Sequence, residues 1–292
     1  MLKSTLFLYL LLLGVVSFAQ PSSDIYLFEM ALEDNNITLS KGQNITNRIG
    51  YDNQPSFFGD SGLLYYTSID SSGQADIYAY DYNNHRHLQK TKTLESEYSP
   101  TLTPDGKFFS VIQVEEDNTQ RLWKFPLTEG SPQLVLKNIK PVGYHCWYGK
   151  EQLVIFVLGK PNTLQKVEVA TEKTIVIDEN VGRCIQRIPR SSKISYVKKK
   201  SDNEWFINYV DMETNETSVI INTLPSTEDY VWINESLLLM GKGNKLYKYN
   251  LGVSNDWEVV ADFSEHSIKN FNRMAVSPNG SKLAIVVTET SL

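Results

Sequence analysis

The sequence contains few of the residues that cross-link small secreted domains or hold metals. Its 292 residues include only two cysteines and four histidines. Cys146 and Cys184 are too few for a disulfide framework, and the sequence leaves open whether they pair. Positive charge is also scarce, because the net charge is −6. Nucleic acids and anionic membrane surfaces bind basic patches, so we expect neither as a partner.

Long apolar runs are absent after the N-terminus. Lys3 precedes an apolar run at 6–16, and Ser-Phe-Ala at 17–19 fits a signal-peptide cleavage site. The run is shorter than the about 20 residues that cross a membrane. We therefore expect residues 1–19 to be a cleaved signal peptide. The mature chain, 20–292, is expected to be a single domain without a transmembrane segment, in the periplasm or secreted.

Aromatic residues and a repeated pattern are plentiful. The 16 Tyr, 12 Phe and 5 Trp favour β-strands. In YSPTLTPDGKFF (98–109), a Pro-Asp-Gly-Lys turn separates a short strand from a longer apolar one. The same plan occurs six times, at steps of 44, 44, 42, 43 and 45 residues, with turns at Gly62, Gly106, Lys150, Ser192, Glu235 and Gly280. This regular period predicts a repeat architecture.

A second strand pattern runs in phase with these turns. ADIYAYD (75–81), QRLWKFP (120–126) and NKLYKYN (244–250) alternate apolar and polar residues, which is typical of half-buried strands. A turn and a last strand, such as TSVIIN (217–222), follow each of them. Each unit is thus predicted to be four antiparallel strands, the composition of a propeller blade.

The two chain ends are predicted to share one blade. Five units fill 52–263, and 268–289 supplies only two strands of a sixth. The missing strands stand at the start, since SDIYLFEM (23–30) matches ADIYAYD and 36–44 suits an outermost strand. We expect an all-β fold, a six-bladed β-propeller of four-stranded antiparallel blades. Both termini would close the last blade and leave no open edge.

These motifs resemble the TolB-like propeller repeat. The resemblance is carried by Asp76-Ile77-Tyr78 with Asp81, by Pro100 with Pro104-Asp105-Gly106-Lys107, and by Ser277-Pro278-Asn279-Gly280. It is weaker in the third to fifth units, where Pro-Asp-Gly is lost. The resemblance implies the fold, whereas propellers of this kind have many functions.

The loops that enter the blades are expected to meet at one mouth of a central funnel. Asp52 and Glu97 occupy matching positions, three residues before Pro55 and Pro100. The residues predicted to bind a ligand at this mouth are Asp52, Asn53, Glu97, Tyr98, Tyr144, His145, Arg183, Glu228, Asp229, Asn272 and Arg273. Both charge signs and aromatic rings suit a peptide segment or a polar small molecule. Alternatively, Asp52 and Glu97 satisfy backbone donors where their strands begin.

The sequence predicts no catalytic residue, no metal site and no cofactor. His145 would need an orienting carboxylate and a nucleophile within reach to act as a base. Gly59-Asp60-Ser61-Gly62 lacks the Gly-x-Ser-x-Gly spacing of a nucleophile elbow.

Three functions stay open. The first is a monomeric binding or scaffold module of a bacterial cell envelope, whose partner is an envelope protein, a peptide segment or a polar small molecule. The second is a metal-dependent propeller hydrolase of the lactonase type, with Asp52, Asn53, Glu97 and Asn272 as ligands at the funnel. The third is a purely structural envelope subunit.

Overall fold

The structure, a computed structural model, describes residues 22–266 and 268–288, and this part of the chain is all-β. It contains 25 strands and one short 3₁₀ turn, Ser264–His266. The predicted signal peptide lies outside the described residues. Within the two described ranges, no helix has the length and apolar character needed to cross a membrane.

One nine-stranded sheet, called the terminal sheet below, contains both ends of the described chain. Its strands are β1 (Ser23–Glu33), β2 (Asn36–Leu39), β3 (Gln43–Asn44), β4 (Tyr51–Phe57), β5 (Leu63–Ile69), β6 (Ala75–Asp81), β7 (Arg86–Gln89), β24 (Phe271–Val276) and β25 (Lys282–Thr288). They run in the order β24-β25-β1-β4-β5-β6-β7, and β2 and β3 also pair with β1.

The chain between these strands forms four further antiparallel sheets of four strands each. The second sheet has β8 (Ser96–Leu102), β9 (Phe108–Val114), β10 (Gln120–Pro126) and β11 (Gln133–Leu134). The third has β12 (Val142–Trp147), β13 (Gln152–Val157), β14 (Thr163–Glu168) and β15 (Lys173–Glu179). The fourth has β16 (Val181–Arg187), β17 (Lys193–Lys199), β18 (Trp205–Asp211) and β19 (Thr217–Asn222). The fifth has β20 (Tyr230–Trp232), β21 (Leu237–Lys242), β22 (Lys245–Asn250) and β23 (Glu258–Asp262).

The predicted pairing of the two chain ends is confirmed. β1 runs antiparallel to β25 over seven residue pairs, from Ser23 opposite Thr288 to Glu29 opposite Lys282. β1 meets β4 through a single parallel pair, Ser23 with Tyr51.

The Pro-Asp-Gly turn has the predicted backbone. Gly106 has a φ of +66°, in the left-handed region that favours glycine. Asp105 Oδ1 accepts hydrogen bonds from Thr103 Oγ1 at 2.6 Å and from Lys107 N at 3.1 Å. Asn279 accepts in the same way from Ser281 N, at 3.0 Å. The turn motif therefore recurs because its side chain closes its own loop.

The hydrophobic core lies between neighbouring sheets. Tyr65 and Ile77 of the terminal sheet pack with Phe109 and Phe125 of the second sheet. Phe58 stacks on Tyr65 with ring centroids 3.6 Å apart. Each sheet thus buries apolar side chains on both faces, which explains why its middle strands are apolar almost throughout.

The first strands of the units, β4, β8, β12, β16, β20 and β24, lie side by side at the centre. β4 contacts β8 and β24, and β16 contacts β12 and β20. Most of them pair irregularly near their beginning: the register shifts between Asn53 and Ser56 in β4, and between Tyr98 and Thr101 in β8. Similar shifts occur in β12, β16 and β24. Such bulges re-aim the side chains at the strand ends.

Candidate ligand-binding site in the central cavity

The six first strands surround a cavity of about 610 Å³. This volume lies within the range of sites that hold small molecules. Of the predicted site residues, five line the cavity: Tyr144, His145, Arg183, Asp229 and Arg273.

A network of charges joins three of these residues across one end of the cavity, called the mouth below. Asp229 lies just before β20 and accepts two hydrogen bonds from Arg183, from Nη2 at 2.5 Å and Nε at 3.2 Å. Arg273 Nε lies 3.8 Å from Asp229 Oδ1, and its Nη2 donates to Tyr144 Oη at 2.8 Å. Burial favours a lower pKa for Arg183, but the hydrogen bond and charge of Asp229 outweigh it and raise that pKa. Arg183 therefore stays charged.

Glu228 supports Arg183 from behind. Its Oε2 accepts from Arg183 N at 3.1 Å and lies 3.0 Å from Lys199 Nζ. Gly182 makes this approach possible, because a Cβ there would lie 2.6 Å from Glu228 Oε2. Glu228 does not line the cavity, so its role is to position Arg183.

Two predicted asparagines position Arg273. Asn53 Oδ1 lies 3.4 Å from Arg273 Nη1, and Asn272 Oδ1 accepts from Arg273 N at 2.6 Å. Neither asparagine lines the cavity. The structure thus brings them to the mouth, but as supports of a guanidinium.

The predicted placement of Asp52 and Glu97 at the mouth is corrected by the structure. Both side chains have no exposed surface and neither lines the cavity. Asp52 Oδ1 accepts from Arg48 Nη2 at 2.7 Å, and Glu97 Oε1 accepts from Thr93 Oγ1 at 2.5 Å. Each acid is therefore held by the side chain four residues earlier, behind the first strands.

Burial also changes the titration of these two acids. It raises the pKa of Asp52 against the opposing hydrogen bonds from Arg48 and Ser68, and it raises the pKa of Glu97 to about 7. One oxygen of each carboxyl, Asp52 Oδ2 and Glu97 Oε2, has no hydrogen-bond partner. The two acids are structural parts of the repeat.

Tyr98 is also directed away from the cavity. It packs with Ile112 and Trp147 in the core between the second and third sheets. Burial raises the pKa of its hydroxyl. Of the two predicted rings, only Tyr144 is available to a ligand in the cavity.

His145 meets a serine, but the pair lacks the features of a catalytic dyad. Its Nε2 lies 2.7 Å from Ser110 Oγ, which accepts from Trp147 Nε1 at 2.8 Å and donates to Thr101 O at 3.2 Å. His145 Nδ1 has no partner, so no carboxylate orients the ring. Burial lowers the pKa of His145 to about 3.

The same arrangement occurs again without histidine. Ser195 Oγ accepts from Tyr230 Oη at 2.9 Å and Trp232 Nε1 at 2.8 Å, and donates to Gln186 O at 3.0 Å. Tyr230 therefore takes the place that His145 has beside Ser110. Both clusters join neighbouring sheets through hydrogen bonds, and the histidine has the same structural role as the tyrosine.

Both cysteines are free thiols. Burial raises the pKa of Cys146 to about 12 and also raises that of Cys184. Neither thiol is therefore a reactive thiolate at neutral pH.

Sequence reasoning missed Arg187, Arg48 and Lys199. Arg187 lines the cavity four residues after Arg183 on β16. Both arginines line the cavity although the register of β16 shifts between Val181 and Ile185, so strand alternation alone does not identify Arg187. Within 22–266 and 268–288, no group of three or more His, Cys, Asp or Glu residues is placed to hold a metal.

Comparisons with known proteins identify the fold. No protein-family model and no curated protein matches the sequence. Among solved structures, a putative TolB from Agrobacterium tumefaciens is 12% identical with a TM-score of 0.69, and the match covers 94% of this chain and 100% of that chain. TolB from Acinetobacter baumannii is 11% identical with a TM-score of 0.58, over 92% of this chain and 64% of that chain.

An enzyme is also similar in structure. Oligogalacturonate lyase from Vibrio parahaemolyticus is 13% identical with a TM-score of 0.51, over 92% of this chain and 98% of that chain. At these identities the likeness concerns the fold alone. The fold is a TolB-like β-propeller, as the sequence motifs predicted.

Proposed function

We propose that the chain is a six-bladed β-propeller that acts as an exported binding or scaffold module of a cell envelope, a monomer with its site at the central cavity. In this proposal the terminal sheet consists of two blades. One blade contains β4 to β7, and the other contains β24, β25 and β1 together with β2 and β3. The single residue pair between β1 and β4, against seven between β1 and β25, supports this division. The four other sheets bring the count to six.

The network at the mouth is the observation that carries the binding role. Arg183 and Arg273 reach the cavity from two different blades and share Asp229 between them. Charged groups that converge on a concave site and are held by their neighbours are typical of ligand recognition. A purely structural subunit has no need of guanidinium groups on the wall of a cavity.

The hydrolase alternative finds less support. Its proposed metal ligands Asp52 and Glu97 are buried behind the first strands. Asn53 and Asn272 are engaged with Arg273. The imidazole in the wall, His145, is a weak base because burial lowers its pKa to about 3.

Capture of partners from an envelope extract tests the proposal. The bait is the mature chain, 20–292, as wild type and as the double variant Arg183→Gln/Arg273→Gln. The matched control is Arg86→Gln/Arg190→Gln, since both of these arginines form ion pairs away from the cavity. We expect the wild type and the control to retain the same partner and the cavity variant to lose it, with circular dichroism unchanged in all three.

Two outcomes contradict the proposal. Identical partners for all three baits would move the site to the outer surface of the blades. A purified wild type that carries a metal and hydrolyses a lactone would establish the enzyme alternative.

A further inference from the structure

The cavity has a charge opposite to that of the whole chain. The chain carries a net charge of −6. The charged residues that line the cavity are three arginines, Arg183, Arg187 and Arg273, and one acid, Asp229, while burial keeps His145 neutral. Three positive charges and one negative leave +2 on the wall. A concave site of one sign concentrates ligands of the other sign.

This charge is divided between two places. At the mouth, Asp229 pairs with Arg183 and Arg273, while Glu228 behind it pairs with both Arg183 and Lys199. Three positive and two negative charges leave one positive charge there. Arg187 is four residues further along β16, so its Cα atom is at most about 13 Å from that of Arg183. It is exposed, and within the described part of the chain it forms no ion pair. Its guanidinium lies 5.3 Å from the centre of the Tyr148 ring.

More of the cavity wall is apolar than polar. Pro55, Ile185, Val231, Met274 and Ala275 contribute apolar surface, and Ser56, Ser99 and Thr101 contribute hydroxyl groups. A ligand with an apolar middle matches the apolar part of this wall, because polar groups placed against it would lose their hydration without replacement.

We propose that the cavity binds an elongated molecule with a carboxylate at each end, one held by Arg183 and Arg273 and the other by Arg187. This inference rests on the proposed binding role of the cavity. Guanidinium groups bind carboxylates through paired hydrogen bonds. One positive charge at each place matches a singly charged carboxylate, whereas a phosphate monoester would leave excess negative charge beside Asp229. The two carboxylates come either from a free diacid or from two acidic side chains of a peptide.

Calorimetry with sebacate, a linear diacid, tests the inference. The protein is the mature chain as wild type, Arg187→Gln and, as the matched control, Arg190→Gln. Arg190 lies outside the cavity three residues away and loses the same charge. We expect sebacate to bind the wild type and the control equally and Arg187→Gln about tenfold more weakly. Neutral 1,10-decanediol is expected not to bind, and added salt to weaken binding of sebacate.

A second ligand distinguishes the two sources of carboxylate. It is an N-acetylated, C-amidated peptide with two glutamates separated by apolar residues, compared with its glutamine counterpart. If the wild type prefers the glutamate peptide and Arg187→Gln loses affinity for it, the inference holds and the ligand is a peptide. If sebacate binds as expected, the inference holds and the ligand is a diacid. Failure of both ligands, or equal affinity of Arg187→Gln, overturns it. The envelope capture with Arg183→Gln/Arg273→Gln decides the binding role separately.

Discussion

At the scale of single residues, Glu97 is a carboxylic acid buried in the core. Glu97 has no exposed surface and lies directly opposite Gln113 across β8 and β9. Glu97 Oε2 and Gln113 Oε1 both lack a hydrogen-bond partner. A protonated carboxyl has an O–H to donate, and the Gln113 oxygen is an acceptor on the facing strand. The neutral form of Glu97 therefore suits the site better than the charged one.

This burial predicts a stability that declines with rising pH. Burial raises the pKa of Glu97 from 4.5 to about 7. Between these values the folded chain holds one proton more than the unfolded chain. The free energy of unfolding thus falls as pH rises, by on the order of 3 kcal/mol in total. This contribution is fully present below about pH 4.5 and lost above about pH 7.

The Glu97→Gln variant should lose this dependence. Urea unfolding at several pH values between about 4.5 and 8 measures it, with Glu116→Gln, an exposed glutamate after β9, as the control. Equal pH slopes for the wild type and Glu97→Gln would show that folding does not raise the pKa of Glu97.

Gly182 offers a second test at this scale. A Cβ at Gly182 would lie 2.6 Å from Glu228 Oε2 and 2.8 Å from Val197 Cβ, so Gly182→Ala should displace Glu228 and cost about 1–3 kcal/mol. Gly143→Ala is the matched control, since its nearest atom is a ring carbon of Phe156 at 3.0 Å. Urea unfolding of both variants measures the difference, and an equal loss would mean that Gly182 is no more tightly enclosed by Glu228 and Val197 than Gly143 is by Phe156.

The sequence predicted which residues lie near the site better than it predicted which of their side chains face the cavity. Arg183, Asp229 and Arg273 were predicted at the mouth and line the cavity there. Asp52 and Glu97 were predicted beside them and are directed away. The reason is local: β4 and β8 have irregular register close to these acids, and a bulge changes which side chains face the cavity. Nothing in the residue pattern marks where such a bulge lies.

At the scale of elements, the hairpin turn between the first two strands of a unit is the feature by which the repeat was recognised. The turn at Gly106 was predictable because a Pro-Asp-Gly sequence has few other conformations. The degenerate units were also found, because their apolar strands keep the period even where the turn sequence is lost. β13, for example, is QLVIFV and its four middle residues are buried.

Gly106→Val should destabilise the fold through backbone strain alone. Gly106 has a φ of +66°, and a Cβ there would meet no atom within 4 Å. We expect a loss of about 1–3 kcal/mol from the left-handed backbone. Gly106→Asn, which tolerates this conformation, should lose less. Urea midpoints measure the stability of both variants. An equal loss for Val and Asn would mean that the left-handed backbone at Gly106 is not the cause of the loss.

At the scale of the whole molecule, the pairing of the chain ends is the feature on which closure depends. Lys282 Nζ and Glu29 Oε1 form an ion pair across β25 and β1, and these two residues are the last of the seven residue pairs between the strands. The pairing was predictable because the last repeat unit lacks two strands, and the first strands of the chain have the pattern of those two. The cavity charge was not, because it arises from side chains that are far apart in sequence.

Deletion of residues 20–46 should therefore leave β25 paired with β24 alone and expose its other, apolar edge. We expect aggregation and a lower thermal midpoint, measured by light scattering and calorimetry. A truncated chain that stays monomeric with an unchanged midpoint would contradict closure by both ends.

The role of the central cavity is tested most directly by a high-resolution crystal structure of the mature chain crystallised with the partner captured from its envelope. We expect density for that partner inside the cavity, with an anionic group in contact with Arg183 and Arg273. A partner bound to the outer surface of the blades, with no group of the partner in contact with Arg183 or Arg273, would contradict this role.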